Sequence, residues 1–249
     1  MKTIIKMAAV AALGFHVASC EKEPVAADTG EFHIEMDYIW AMSNAPFSLG
    51  TDLFHPMTQD TLNFSTFKHY ISNVKLHSLD GSVWEDVESY YLVDLSDPTS
   101  LDLYFNNVPV GEYDRIEFTL GVDSLRNVSG VQSGALDPAN QMFWSWNSGY
   151  IMIKAEGVFQ GGESFAYHLG GFSGEHNTVM TKTLEFPNGA MMTISPDAAP
   201  VVHALANPAK LFHTQGTVEN APMVHMPGET AGIMAQDFNS AIYIDHLHN

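Results

Sequence analysis

The sequence predicts a mainly β protein, an antiparallel β-sandwich or barrel-like domain with a few short helices. Runs rich in aromatic and branched residues recur at short spacing, and Asp-Gly, Pro-Val-Gly and Gly-Gly turns separate them. No repeat at solenoid or propeller period interrupts that rhythm, so one domain is the preferred organisation. With 249 residues, 45% of them hydrophobic and 16% charged, the chain can bury one sizeable core.

The first segment stands apart from that domain. "MKTIIKMAAVAALGFHVASC" has a basic start at Lys2 and Lys6, a short apolar run, and then Val17-Ala18-Ser19-Cys20, which resembles a bacterial lipobox. Residues 1–19 read as a lipoprotein signal peptide, with the lone Cys20 as the lipidation site and the new first residue. Glu21, Lys22 and Glu23 resemble the charged export tags of Bacteroidetes surface lipoproteins, and residues 20–30 read as a tether. The expected domain is 31–249, held outside the cytoplasm, in the periplasm or on the outer membrane, through the lipid anchor alone.

Strands are expected in order at Thr61–Ser78, Ser89–Leu95, Glu112–Val122, Tyr150–Phe159 and Ser164–Phe172, then at Thr178–Phe186, Ala190–Ser195 and Ala199–Leu205. Asn207–Thr214 and Gly228–Ile242 carry helix formers behind an Asn or a Gly-Glu start, and each reads as a short helix. "IYIDHLHN" closes the chain as a final strand.

Charge excludes one class of partner. Of ten basic residues, Lys2 and Lys6 leave with the signal, so eight face 29 acidic ones, a formal balance of −21. Phosphate backbones need Lys and Arg to replace their counterions, so nucleic-acid binding is not expected. There is no Gly-x-Ser-x-Gly elbow, P-loop, dinucleotide fingerprint or His-Glu-x-x-His. Carboxylates such as Asp94 and Glu117 have no spacing that supports a hydrolase.

Histidine and methionine are plentiful: without the signal, eleven of each remain. Imidazole and thioether together suit copper, since Cu(I) is soft and Cu(II) favours nitrogen, although methionine is also common core filler. His246 and His248 sit two residues apart on a strand and so point to one face. His168 ends a strand before two glycines. His55 with Met57, and His225 between Met223 and Met226, lie in loops. Taken alone, each is more readily a solvent-facing or hydrogen-bonded residue. Asp123, Asn127, Asp137 and Asn140 offer oxygen ligands for calcium but lack EF-hand spacing and read better as turn formers. Trp40, Trp84 and Trp144 would be the stacking platforms of a glycan- or protein-binding surface module, the alternative to metal binding. Trp144 and Trp146 could also share one sheet face as core residues.

The span "GVDSLRNVSGVQSGALDPANQMFWSWNSGYIMIKAEG", Gly121 to Gly157, together with "YHLGGF", resembles the MbnP family. The likeness extends from about Phe64 ("FSTFKHYISNVKL") through "SYYLVDL" and "VPVGEY" to "IDHLHN". The resemblance implies a secreted or lipid-anchored β protein that binds copper through histidine, for acquisition or sequestration. It further implies that a tryptophan is oxidised to kynurenine by a di-haem cytochrome c peroxidase-like partner, the chain being that enzyme's substrate and not an enzyme. Trp144 and Trp146 are the candidates for oxidation, and His168, His246 and His248 the candidate copper ligands, with His55, Met57 and His225 behind them.

Overall fold

The computed structural model describes residues 28–43, 45–145 and 149–249. The signal, Cys20 and most of the tether lie outside the described residues, as does Trp146. None of the described helices is long and apolar enough to cross a membrane.

The described strands are β1 (Thr29–Trp40), β2 (Ala45–Pro46), β3 (Asp52–Phe54), β4 (Thr61–His77), β5 (Val83–Glu85), β6 (Tyr90–Asp94), β7 (Asp102–Pro109), β8 (Gly111–Tyr113) and β9 (Arg115–Leu120). After the four-residue helix α1 (Ser124–Asn127) come β10 (Phe143–Ser145), β11 (Gly149–Phe159), β12 (Glu163–Gly170), β13 (Met180–Glu185), β14 (Met192–Ile194), β15 (Val201–Ala206) and β16 (Met223–Val224). Helix α2 (Glu229–Ser240) and β17 (Ile242–His248) end the chain.

Two sheets face each other. The smaller runs β17-β15-β1-β2, with β7 on the other side of β1; the larger runs β13-β9-β4-β11-β12-β16, with β3, β5, β6 and β10 attached. β1 was not among the expected strands, yet it is central, and its Phe32, Ile34, Met36, Tyr38 and Trp40 alternate into the core. They share one core with Phe67 and Ile71 of β4, Ile153 and Ala155 of β11, and Phe165, Tyr167 and Leu169 of β12, and Tyr38 meets His69 of β4. The 17-residue β4 stays on both surfaces by shifting register twice, once opposite Glu156/Gly157 and once between Ser72 and Lys75. At the second shift Asn73 takes φ +50°, a left-handed conformation that Asn tolerates better than most residues.

The mainly β, sandwich- or barrel-like architecture is as expected, and two strand pairs depart from its antiparallel pattern. β1 pairs with β15, and β12 with β16, in parallel. A parallel pair needs a long crossover, and the chain between β1 and β15 is most of the larger sheet, so one sheet is closed only after the other has been laid down. The segment Asn207–Thr214 forms the expected short helix, of 3-10 type, over Pro208–Phe212, capped by Asn207. α2 matches the expected second helix: Ala231, Met234, Ala235 and Phe238 are buried at helical spacing, and Phe238 packs against Phe67 and His69.

Within this core one polar pair bridges the sheets. The Tyr38 hydroxyl donates to His69 Nε2 at 2.5 Å, so the hydroxyl and this ring nitrogen satisfy each other, while His69 Nδ1 has no partner among the described residues. Burial pushes the His69 pKa down from 6.5 to about 4 and that of Tyr38 well up, so both are neutral.

A second, smaller core lies on the outer face of the larger sheet. Tyr70, Val122, Leu136, Met142, Tyr150, Ile151 and Met152 are buried there under the excursion between β9 and β11. Asn127 anchors that excursion. Its Oδ1 accepts from Tyr150 N at 2.7 Å, and its Nδ2 donates to the carbonyls of Val122 (2.6 Å) and Asp123 (2.9 Å). Asp123 caps α1 and accepts from the Tyr90 hydroxyl, Asp137 caps the following 3-10 turn, and Asn140 donates to the carbonyls of Gly134 and Ala135. The four Asx residues are thus spent on turns and caps, as their composition suggested.

Candidate metal-binding sites

Trp144 lies where the second core meets the open face of the larger sheet. Its ring rests on Gly170, where an added Cβ would stand 2.6 Å from Cζ3 and 2.8 Å from the Tyr150 carbonyl oxygen. Only a glycine admits the indole that closely. The φ of Gly170 is not positive, so the demand is for space alone.

His168 is two residues before Gly170 on the same strand and therefore on the same face. Its strand is flanked by β16 in parallel register, Ala166 opposite Met223 and Tyr167 opposite Val224. The next step of that register brings His225 beside His168. Their Nδ1 atoms are 3.3 Å apart and the rings meet edge to face at 4.7 Å between centroids.

The other nitrogen of His168, Nε2, is 2.7 Å from Glu156 Oε1, and Lys154 Nζ stands 3.4 Å from the same oxygen. Burial lowers the His168 pKa, and the Glu156 carboxylate only partly offsets this. Burial alone would raise that of Glu156, but His168 and Lys154 outweigh it and hold the carboxyl below its ordinary value. The stable arrangement at neutral pH is a carboxylate accepting the Nε2–H of a neutral imidazole, whose Nδ1 lone pair then points at His225. A carboxylate behind one imidazole nitrogen, with the other nitrogen free, is the arrangement that orients histidine ligands in metal sites.

A second group of histidines sits on the outer face of the smaller sheet. His203 of β15 is directly opposite His246 of β17, and one ligand nitrogen from each of His203, His246 and His248 lies within 4.8 Å of the others. Glu35, Asp37 and His203 form an overlapping group of the same dimension.

These positions redistribute the sequence candidates. His246 and His248 are together, as their spacing required, but His168 is on the other sheet. It therefore cannot complete their ligand set and pairs with His225 instead. His55 is buried with both nitrogens engaged, Nε2 to the Ala209 carbonyl at 3.0 Å and Nδ1 accepting from Thr58 N at 3.1 Å, which leaves no lone pair for an ion. Met57 beside it is exposed. His203 escaped sequence reading, because "VVHALA" shows only the alternation of a half-buried strand.

The other reactive-looking groups are structural. Trp40 is a core residue, 3% exposed, with Nε1 donating to the Phe54 carbonyl, and Trp84 packs on Phe32 and Phe105; neither is a free stacking platform. Asp94 pairs with Lys68 at 2.7 Å, and Glu117 lies 3.5 Å from both Lys75 and His77.

The architecture is that of a β protein built on two main facing sheets, with a two-stranded β8–β14 sheet beside them and solvent-reaching histidine groups on the outer faces. The chain belongs to the MbnP family, whose model matches residues 29–227. Its fold is similar to that of MbnP from Methylosinus trichosporium, with a TM-score of 0.54 at 12% identity over 75% of this chain and 78% of that one. No curated protein matches the chain.

Proposed function

We propose that the chain is a lipid-anchored, extracytoplasmic copper-binding protein whose ion is held by His168 and His225 beside the tryptophan motif. The carrying observation is the convergence of two imidazole nitrogens at 3.3 Å, with Glu156 behind one of them. Two nitrogens each about 2.0 Å from an ion are about 3.3 Å apart at a tetrahedral angle, the geometry that ligand spheres of Cu(I) and Zn(II) favour. The residues present therefore fit an ion without rearranging the sheet. Met223 and Met226 flank His225 in sequence and are exposed, so soft thioether donors are at hand.

Bound copper would supply a redox-active soft centre, to be carried or stored. The chain's own residues do the rest. Glu156 fixes the tautomer of His168, burial keeps that imidazole neutral, and the β12–β16 register brings His225 to it.

In this reading one of Trp144 and Trp146 is converted to kynurenine by a di-haem peroxidase-like partner. Opening the indole ring would add two oxygen atoms taken from water, and the four electrons and four protons released would reduce two equivalents of a peroxide oxidant to water through the partner enzyme. Hydrolysis then releases one carbon as formate, leaving an aniline and a ketone. Trp144 carries the structural support: its ring lies over Gly170 on the face that bears His168, so an aniline nitrogen formed there would stand on the same side as the imidazole pair.

Copper titration of the mature protein checks the metal half. Wild type should bind one Cu(I) that the His168→Ala/His225→Ala variant does not; equal binding by both would remove the ion from this site.

A further inference from the structure

On the smaller sheet, Glu35, His203 and His246 form one row across β1, β15 and β17: Glu35 is opposite His203, and His203 opposite His246. His248 follows His246 on the same face. The row exists because β17 carries a bulge. Ile244 pairs with Ala204 and His246 with His203, so Asp245 is an extra residue, and Asp245 and His246 both turn outward.

That bulge gives His246 its own carboxylate. Asp245 Oδ2 is 2.7 Å from His246 Nδ1, and Glu35 Oε2 is 3.4 Å from His203 Nδ1. Two of the three imidazoles therefore have Nδ1 directed at an acid and Nε2 left over. The rings are close enough to share a ligand: His203 and His246 stack at 4.1 Å, and His248 stands 4.9 Å from the first and 4.7 Å from the second.

We infer that His203, His246 and His248 form a second metal site, separate from His168 and His225, that takes a borderline divalent ion of the zinc class. Three imidazole nitrogens, two of them on rings with a carboxylate behind, suit Zn(II), and a fourth position remains for water. No thioether belongs to the group, which separates it in ligand chemistry from the copper site. An ion here ties edge strand β17 to β15, the neighbour of β1, so it fastens the last strand to the sheet.

The test is Zn(II) titration of the mature protein by calorimetry, with metal analysis after dialysis. The expected result is a Zn(II) equivalent that persists in His168→Ala/His225→Ala and is lost in His203→Ala/His246→Ala. Glu35→Gln and Asp245→Asn should each weaken it by about 10–100-fold. Imidazole NMR resonances of His246 and His248 in the wild type should shift on adding Zn(II), which provides a readout independent of any variant's folding. No Zn(II) bound by wild type, unmoved His246 and His248 resonances, or binding lost only with His168 and His225 would each overturn the inference. Because the assay uses Zn(II) and these residues, it stands or falls apart from the copper reading.

Discussion

His168 offers its two ring nitrogens to two different partners: Nε2 meets Glu156 at 2.7 Å and Nδ1 meets His225 at 3.3 Å. Glu156 thereby decides which nitrogen carries the proton. Glu156→Gln removes the charge that supports the imidazolium while the burial remains, so His168 should titrate at a lower pH than in wild type. Copper affinity should fall by about 10–100-fold, as for other carboxylates that orient a ligating histidine. Histidine NMR titration and copper competition assays measure the two effects, and an unchanged His168 titration would show that Glu156 does not act on it.

Gly170→Ala tests the seat of Trp144. The new Cβ would meet both the indole and the Tyr150 carbonyl. The ring must move, at a cost of about 1–3 kcal/mol for overpacking. Urea unfolding should show the loss, and tryptophan fluorescence the displacement. Under the proposed function, kynurenine formation at the motif should slow as well.

Asn127→Ala removes three hydrogen bonds that hold the excursion above the second core. Leaving such buried partners unsatisfied costs about 1–3 kcal/mol each, so a destabilisation of at least about 2 kcal/mol is expected. Hydrogen exchange should quicken first at Tyr150 and in the excursion; uniform quickening throughout the chain would argue against a local anchor.

The pH dependence of stability has a defined sign at His69. Its folded pKa is depressed from 6.5 to about 4, chiefly by burial. The unfolded chain thus binds the proton more readily, and the contribution of neutral His69 is complete above about pH 6.5 and is lost as pH falls towards 4. His69→Gln, which keeps an acceptor for Tyr38, should be less stable at pH 7 and show a flatter profile between pH 7 and 4. Parallel profiles for the two proteins would remove His69 from the account.

What the sequence revealed follows from which interactions are local. Strands β4, β6, β9, β11 to β15 and β17 are legible because alternation and turn chemistry are written within a few residues. β1 carries the same alternation but is not among the expected strands, and neither are β5, β7 and β10. His246 and His248 could be paired from their spacing, whereas His203 and Glu35 join them only through the β1–β15–β17 register, which no local pattern encodes. His225 is similar: it meets His168 because two residues of β16 pair in parallel with β12 across some fifty intervening residues. Non-local register therefore decides both histidine groups.

The most direct measurement is mass spectrometry of the tryptic peptide Asn127–Lys154 from protein made in its native cell, with copper determined on the same sample. This peptide contains both Trp144 and Trp146. The expected result is one tryptophan that has lost a carbon and gained an oxygen, together with copper that is absent from His168→Ala/His225→Ala protein prepared in the same way. Two intact tryptophans in copper-free wild-type protein would contradict it.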